Sequence, residues 1–449
     1  MGGAALPWHE GAEGSVSLGF LSSPEFQLLL SATARRPMLK SELDRRFVPD
    51  GYTADEIWEA LTAIRRGQAF YGPIVEFTPE GVRKNWHTVP ATLQYSLRQI
   101  ARKTQRGSFL DLLISERAGC RFVTQYYIEE AVANLKHDGF ETDYESVRAA
   151  IFGERACMTF AEQLAVNFHS IMRDLPAYEE LPFDESVIMR LYQDLTEGLS
   201  DEDLPAPGTV SLLDQHAVSA RDNGVLDIIV ATGNDLNTEP VQDPIMVSML
   251  VNCHFWRLSP LPSCNNLMGC IASRFYLLKK GLPAFRFLPK TKILEDWSMG
   301  SSFSGSARYS LRESIVADGA ATDWTAYYDS FMSIMLHMLQ LMEESLANLK
   351  ESDDLILARI AASDGFNHRQ KTLLKRAVLA PETEFAISEH RAAHGIAYST
   401  ARTDFEDLVA RGLLVRTTRA TANVYLSAPD LRVSFARLIE RSASEKAAL

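Results

Sequence analysis

The chain has 449 residues, which is too long for one ordinary hydrophobic core, so two or three domains are expected. Hydrophobic residues make up 46% and charged residues 23%, a balance typical of globular proteins that excludes wholesale disorder. The net charge of −13 disfavours non-specific binding of the whole chain to DNA or anionic lipid. No apolar run is long enough to span a bilayer, and the start lacks a secretory pattern. The cysteines are also few. We therefore expect a cytoplasmic protein without membrane contact.

Helical periodicity dominates the chain, and convincing strand patterns are rare. Short helices are predicted at 24–34 and 53–66, the second with Thr53 as its N-cap. After residue 122 helices follow one another closely, at 127–136, 144–151, 160–173, 185–198, 245–258, 267–280 and 324–349. The segment 209–230 between them is rich in turn formers and predicts either a hairpin-like flap or a surface loop. The sequence therefore predicts a mainly α fold.

The last 80 or so residues change character. From 366 to 449 there are 13 Lys and Arg against 9 Asp and Glu, so this part is basic in an acidic chain. Helices are predicted at 369–378, 388–394 and 399–411, with a turn at Gly395, and two alternating segments follow, LLVRTT and NVYLSA. A helix-turn-helix followed by a β-hairpin is typical of a winged helix.

The most informative segment is DPIMVSMLVNCHFWRLSPLPSCNNLMGCIASRFYLLKKGLP, at 243–283. It resembles the centre of Fic (Fido-fold) proteins, where a helix that begins with Pro leads into the loop His-Pro-Phe-x-Asp/Glu-Gly-Asn-Gly-Arg and then a second helix. The resemblance extends over roughly 120–430. It implies three regions: a helical N-terminal region of unknown role at 1–110, a Fido core at 111–355 and a winged-helix domain at 356–449.

In active members of that family the loop transfers AMP, or a related group, from a nucleotide to a target hydroxyl. The histidine is the general base, the carboxylate holds Mg²⁺ on the phosphates, the glycine-rich backbone forms an anion hole and the arginine stabilises phosphate charge. The positions of this chain that correspond to the loop are Ser259, Pro260, Leu261, Ser263, Cys264, Asn265, Asn266 and Leu267. Pro260 and Asn265 alone match the pattern.

The resemblance therefore predicts a protein that has lost the chemistry of AMP transfer. Serine replaces the base at Ser259 and the carboxylate at Ser263, and Leu267 replaces the arginine. No cofactor is expected. Binding of ATP with Mg²⁺ is expected only if the loop retains function. In that case the backbone around Ser263, Cys264, Asn265 and Asn266 would hold the nucleotide.

Other residues near the loop allow alternative interpretations. His254 or Cys264 could be recruited for different chemistry, although a packed histidine and a buried thiol are the simpler interpretations. Cys253, His254, Cys264 and Cys270 lie close in sequence but lack zinc spacing, so no metal site is predicted. Glu129 matches the glutamate of the family's inhibitory helix, although Leu267 leaves it without an arginine partner.

Three functions remain open from the sequence. The first is a non-catalytic Fic homologue that binds a protein partner or a nucleotide and acts in regulation. The second is a DNA-binding regulator, with contacts from Thr400, Arg402 and Thr403 on the recognition helix and Arg416 and Arg419 on the wing. The third is a divergent transferase with recruited residues. Homo-oligomerisation is also left open.

Overall fold

The computed structural model is mainly α-helical, which confirms the predicted fold class. It describes residues 18–43, 48, 51–78, 81–116, 121–152, 156–157, 159–199, 225–234, 243–300, 306–318, 321–380, 383–419, 422–428 and 430–447. Among these residues no helix is both long enough and apolar enough to cross a membrane.

The N-terminal part begins with four helices around a small core. They are α1 (Leu18–Leu21), α2 (Pro24–Arg35), α3 (Lys40–Leu43) and α4 (Ala54–Arg66). Thr53 caps α4 in a capping box, because its side chain accepts from the backbone N–H of Glu56 while the Glu56 carboxylate accepts from that of Thr53. Phe26, Leu43 and Ile57 are buried at the centre of this cluster.

A β-hairpin follows, which the sequence analysis did not predict. Its strands are β1 (Phe70–Thr78) and β2 (Gly81–His87). Two short strands from much later in the chain, β3 (Val316–Asp318) and β4 (Ala321–Asp323), complete a four-stranded sheet in the order β1-β2-β4-β3, with β2 and β4 parallel. The sheet ties the N-terminal region to the rest of the fold.

A buried ion pair strengthens the same junction. Nη2 of Arg65 lies 2.6 Å from Oδ2 of Asp323 and 3.2 Å from the hydroxyl of Thr325. Both ionic side chains are buried, so loss of one partner would leave an uncompensated charge.

The large helical core surrounds one central helix. Its elements are α5 (Ala91–Thr104), α6 (Phe109–Glu116), α7 (Arg121–His137), α8 (Tyr144–Ile151), α9 (Phe160–Asp174), α10 (Glu185–Leu195), α11 (Val225–Gly233), α12 (Pro244–Leu258), α13 (Asn265–Lys279), α14 (Lys290–Ser298), α15 (Leu311–Ser314) and α16 (Thr325–Ala362). Nearly every side chain of α13 is buried. The helices predicted in this part of the chain all form.

Two features show how this core continues into its neighbours. Leu93, Leu97 and Leu110 belong to the same hydrophobic cluster as α13, so packing does not break near residue 110. The helix α16 runs without interruption past residue 355, from the large core into the C-terminal one. The methionines of α16 are buried within the large core, as expected for packing residues: Met332, Met335, Met338 and Met342.

Gly269 allows α12 and α13 to lie close together. A Cβ atom at this position would lie 2.6 Å from Oδ1 of Asn252 and 2.9 Å from Cβ of Phe255, closer than packed atoms approach. We expect Gly269→Ala to lower the free energy of unfolding by about 1–3 kcal/mol, because α12 and α13 must separate. Urea unfolding measures this loss of stability. Gly365→Ala is the control, because its Cβ would lie at an ordinary van der Waals distance from Arg411. Equal stability of the two variants would contradict the expected clash.

The C-terminal part contains the helices and strands in the predicted order. These are α17 (His368–Leu379), α18 (Ile387–His394), α19 (Tyr398–Ala410), β5 (Leu414–Arg419), β6 (Ala422–Ser427) and an additional helix, α20 (Leu431–Ala447). Gly395 ends α18 in the left-handed conformation, at φ 60°, which glycine adopts without strain. Phe405 and Tyr425 stack in the centre of a separate hydrophobic cluster.

Candidate functional site

The loop between α12 and α13 is bounded by two strained residues. Asp243 caps α12 by accepting a hydrogen bond from the backbone N–H of Ile245, and Pro244 occupies the first helical position. The helix ends at Ser259, which has φ 43°, and α13 is preceded by Cys264, with φ 56°. Left-handed backbone costs roughly 1–2 kcal/mol for a residue other than glycine. The backbone is therefore strained at both ends of the loop.

The hydroxyl and thiol groups of this loop are buried. The Ser263 hydroxyl is 2.9 Å from the Tyr192 hydroxyl, and both groups are enclosed. Ser259 is 3% exposed. Burial, reinforced by the nearby carboxylate of Asp138, raises the pKa of the Cys264 thiol well above its ordinary range. Because the thiolate is the reactive form, Cys264 is not set up as a nucleophile.

Asn265 closes the loop upon itself. Its Oδ1 accepts a hydrogen bond from the backbone N–H of Leu261, and its Nδ2 donates to the carbonyl of the same residue, both at 3.0 Å. The side chain thus makes the pair of hydrogen bonds that a neighbouring β-strand would make, and it holds the loop in one conformation. Asn265 is engaged within the protein rather than directed to a ligand.

A carboxylate of the protein occupies the N-terminus of α13. Asp138, just after α7, accepts hydrogen bonds from the backbone N–H of Asn266 at 2.9 Å and from that of Leu267 at 3.0 Å. It also accepts one from Nδ2 of Asn266 at 2.9 Å, and its side chain is buried. Helix N-termini attract anions because their N–H groups have no intrahelical acceptor. Of the backbone donors predicted for a nucleotide phosphate, the one at Asn266 is therefore taken by Asp138, together with the next one along α13, at Leu267.

The buried position of Asp138 predicts a pH dependence of stability. Burial raises the pKa of Asp138 to about 6, even though the N–H donors of Asn266 and Leu267 favour the charged form. The folded state then binds the proton more tightly than the unfolded state, so the free energy of unfolding falls as pH rises from about 4 to about 6. The free energy of unfolding of the wild type should fall by an amount on the order of 2–3 kcal/mol over this pH range, and Asp138→Asn should not show this fall.

The measurement is urea unfolding from pH 4 to 7, with the difference between wild type and Asp138→Asn as the readout. Asp227→Asn, at an exposed position on α11, is the control, and its difference from wild type should stay flat. A flat difference for Asp138→Asn as well would show that this carboxyl does not titrate in the window.

Glu130, the residue after Glu129, makes a buried ion pair from α7. Oε1 of Glu130 lies 2.9 Å from Nη2 of Arg274, and both side chains are 1% exposed. Glu129 instead accepts a hydrogen bond from Gln125 at 2.7 Å on a more open face. Glu130 also accepts from the backbone N–H of Thr291 at 2.8 Å, so it joins α7, α13 and α14. The sequence analysis expected Glu129 to lack an arginine partner, and it identified neither Glu130 nor Arg274 as an ion pair.

The other residues proposed for chemistry near the loop are enclosed. His254 is buried within α12. Cys270 is buried beside Glu130 and Arg274, and burial raises its pKa well above the ordinary range. No group of three metal-ligating side chains occurs among the residues that the structure describes. Of the segment predicted as a flap or loop, 209–224 lies outside the described residues, and the remainder forms part of α11.

The candidate DNA contacts lie on the outside of the C-terminal part. Thr400, Arg402 and Thr403 are exposed on α19, and Arg416 is exposed on β5. Nε of Arg402 donates to Oε1 of Glu406 at 2.7 Å. The side chain of Arg419 lies outside the described residues.

Asp404, on the same helix as these contacts, points inward. It is buried and accepts hydrogen bonds from Arg369 at 2.8 and 3.1 Å and from Asn367 at 2.8 Å, and His390 lies within 3.1 Å. Burial raises its pKa, but these partners together hold the pKa below the ordinary value. Asp404 therefore stabilises the packing of α17, α18 and α19.

Comparison with known proteins gives similarity to solved structures alone. No family model and no curated protein matches the chain. Among solved structures it is similar to a Fic family protein from Desulfovibrio desulfuricans G20, determined at 2.70 Å resolution. The sequence identity is 16% and the TM-score 0.41, over 76% of this chain and 97% of that one. A likeness this loose carries no argument about function, which must be argued from the site itself.

Proposed function

We propose that this chain is a Fic-like protein without nucleotide-transfer activity that acts as a regulator through a protein partner. The observation that carries the proposal is Asp138, whose carboxylate occupies the N-terminus of α13. A nucleotide phosphate would have to displace a buried group with three hydrogen bonds, and two negative charges cannot share that position.

Among the residues that the structure describes, those around the loop offer no substitute for the lost chemistry. A serine hydroxyl at Ser259 is too weak a base near neutral pH, and Ser263 is hydrogen-bonded to Tyr192 rather than placed to hold a cation. The recruited-residue alternative requires a reactive thiol or an accessible imidazole, whereas Cys264 and His254 are both buried. The helices on either side of the loop are present, and hydrogen bonds within the protein hold the loop itself in one conformation.

The test is incubation of the full chain with labelled ATP and Mg²⁺, with an active Fic enzyme assayed in parallel. We expect no AMP on the chain or on added cell proteins. Transfer by the wild type that disappears in Ser259→Ala or Asn265→Ala would refute the proposal. Labelling that persists in both variants would be assigned to a contaminant.

DNA binding by the C-terminal part is the second candidate, because two of the three acidic residues of α19 are engaged within the protein, whereas Glu406 is exposed and pairs with Arg402. Asp404 is buried, and Asp407 pairs with Arg411 at 3.0 Å. Thr400, Thr403 and Arg416 remain exposed. Base and phosphate contacts require donors without competing carboxylates, and Thr400 and Thr403 meet this condition whereas Arg402, bonded to Glu406, does not.

Selection from random duplex DNA, followed by titrations at several salt concentrations, tests this candidate. Sequence preference together with a falling affinity in salt is expected. Arg416→Ala should reduce the salt slope by about one, whereas Arg173→Ala, on the surface of the helical core, should not change it. Binding that shows neither a sequence preference nor a salt dependence would remove the DNA-binding candidate.

A further inference from the structure

A groove on the surface lies between α6 and the middle of α16, two helices that pack side by side. Its described lining consists of Phe109 from α6 and of residues of α16 between Ala347 and Ala358. This stretch of α16 joins the two cores, since Leu346 packs in the large core and Ile360 in the C-terminal one. A molecule bound in the groove would therefore contact the helix that both cores share.

The large apolar side chains of the groove are open to solvent. Phe109 is 56% exposed and Leu355 is 59% exposed, and Leu112, one helical turn after Phe109, is 53% exposed. Apolar side chains that lie singly on a surface are ordinary, but Phe109 and Leu355 come together in one concave lining. Apolar residues that meet in this way are typical of a surface that a partner covers.

The residues of α16 form a straight stripe along the groove. Ala347, Glu351, Asp354 and Ala358 follow one another at steps of four, three and four residues, which places them on one face of the helix. From Ala347 to Ala358 the stripe is about 16 Å long, because each residue adds about 1.5 Å. Alanine at both ends lets another helix approach closely, so the stripe fits a helix of about three turns.

The groove carries a negative charge. Glu351 and Asp354 are exposed, and neither makes an ion pair or a hydrogen bond with a residue that the structure describes. Glu344, two turns before Glu351 on the same face, is also exposed. Lys350 is the one basic residue of the described lining. Carboxylates beside apolar side chains are complementary to lysine or arginine beside apolar side chains, and they disfavour nucleic acid and anionic lipid.

We propose that the chain binds its protein partner through this groove, and that the partner contributes a basic amphipathic helix. The apolar face of that helix lies on Phe109 and Leu355, and its lysine or arginine side chains pair with Glu351 and Asp354. The inference rests on the proposed function, which requires a protein partner, and it adds the surface and the chemistry of that partner. A contact of about three helical turns is small, so the association is weak and reversible.

The experiment uses a fluorescein-labelled peptide of about 18 residues, long enough to form a helix, with leucine on one face and lysine on both sides of it. Fluorescence anisotropy measures its binding to the full chain. The controls are a scrambled peptide of the same composition and a peptide with glutamate in place of lysine. We expect a Kd below about 0.2 mM for the basic amphipathic peptide and at least about tenfold weaker binding of both controls. Equal binding of the basic and the scrambled peptide, or no binding of the basic peptide at about 0.2 mM, would overturn the proposal.

Two matched variants test whether the peptide binds in the groove. Leu355→Lys introduces a positive charge at an exposed leucine of the groove, so it should weaken binding of the basic peptide at least about tenfold. Leu28→Lys makes the same change at a leucine of α2 that is 64% exposed, and it should leave binding unchanged. An equal loss in both variants would show that the peptide responds to the total charge of the chain, which would overturn the proposal.

Removal of the carboxylates gives a second comparison. Glu351→Gln with Asp354→Asn should weaken binding at least about threefold, whereas Glu25→Gln with Glu59→Gln, at exposed positions of the N-terminal part, should not change it. A wild type that sediments as a dimer, together with a monomeric Leu355→Lys, would show that a second copy occupies the groove and would overturn the proposal. Failure of the proposed function is distinguished from these outcomes, because AMP transfer is assayed without the peptide.

Discussion

Replacing Glu130 with glutamine will lower the free energy of unfolding by about 3–5 kcal/mol, because it leaves a guanidinium buried without its counter-ion. Arg274 is held at the centre of the helical core, where its other hydrogen bonds go to Sγ of Cys270 and to the backbone carbonyls of Cys270, Arg286 and Leu288. Those carbonyls cannot neutralise the charge. Chemical denaturation of the wild type and of Glu130→Gln, followed by circular dichroism, measures the difference.

The neighbouring residue supplies the matched control for this prediction. Glu129→Gln removes the same charge one position earlier on α7, where the carboxylate bonds to Gln125 on a more open face. Its effect should stay within about 0.5 kcal/mol. If Glu129→Gln proved as destabilising as Glu130→Gln, the assignment of the ion pair to Glu130 would be wrong. The double variant Glu130→Met with Arg274→Met should recover part of the loss, because it removes both buried charges.

The helices of this protein were predictable because their signals are local. The cap at Thr53, the proline at Pro244 and the glycine at Gly395 each mark a helix end within a few residues of the sequence. The apolar periodicity between such ends then predicts the helix itself. The same reasoning predicted the order of elements in the C-terminal part.

The contacts that define the site were not predictable in the same way, because their partners are far apart in sequence. Asp138 and Asn266 are separated by 128 residues, and Glu130 and Arg274 by 144. The hairpin at β1 and β2 is completed by β4, more than 200 residues later. No local sequence pattern predicts such pairings, because the tendency of a segment to form a strand depends on the residues that pack beside it in the sheet.

One local signal for Asp138 nevertheless exists. It follows the last residue of α7, where the carbonyl end of the helix dipole disfavours a carboxylate. A negative charge at that position indicates a compensating partner elsewhere in the fold, and the N-terminus of α13 provides it. The signal shows that a partner is needed, but it does not identify the partner.

The backbone at Cys264 supports the resemblance of the loop more directly than its side chains do. Its left-handed conformation, at φ 56°, is one that glycine adopts freely, and the family pattern has glycine at this position. Cys264 therefore adopts a backbone conformation that the glycine of the family pattern would adopt without strain. Hydrogen bonds of Asn265 and Asp138 hold the loop and the start of α13 in place.

Removal of the Asp138 side chain should restore anion binding at α13. Asp138→Ala leaves the N–H groups of Asn266 and Leu267 without their acceptor, so we expect pyrophosphate to bind at roughly millimolar affinity, whereas the wild type binds none. Asp138→Asn is the control, because its amide oxygen still accepts from one of these donors and its side chain fills the same space. Calorimetric titration at pH 7.5, with circular dichroism to verify folding, measures the effect. AMP transfer should remain absent in all variants, since Ser259 and Leu267 are unchanged. Pyrophosphate binding by the wild type at the affinity of Asp138→Ala would show that Asp138 does not block the site.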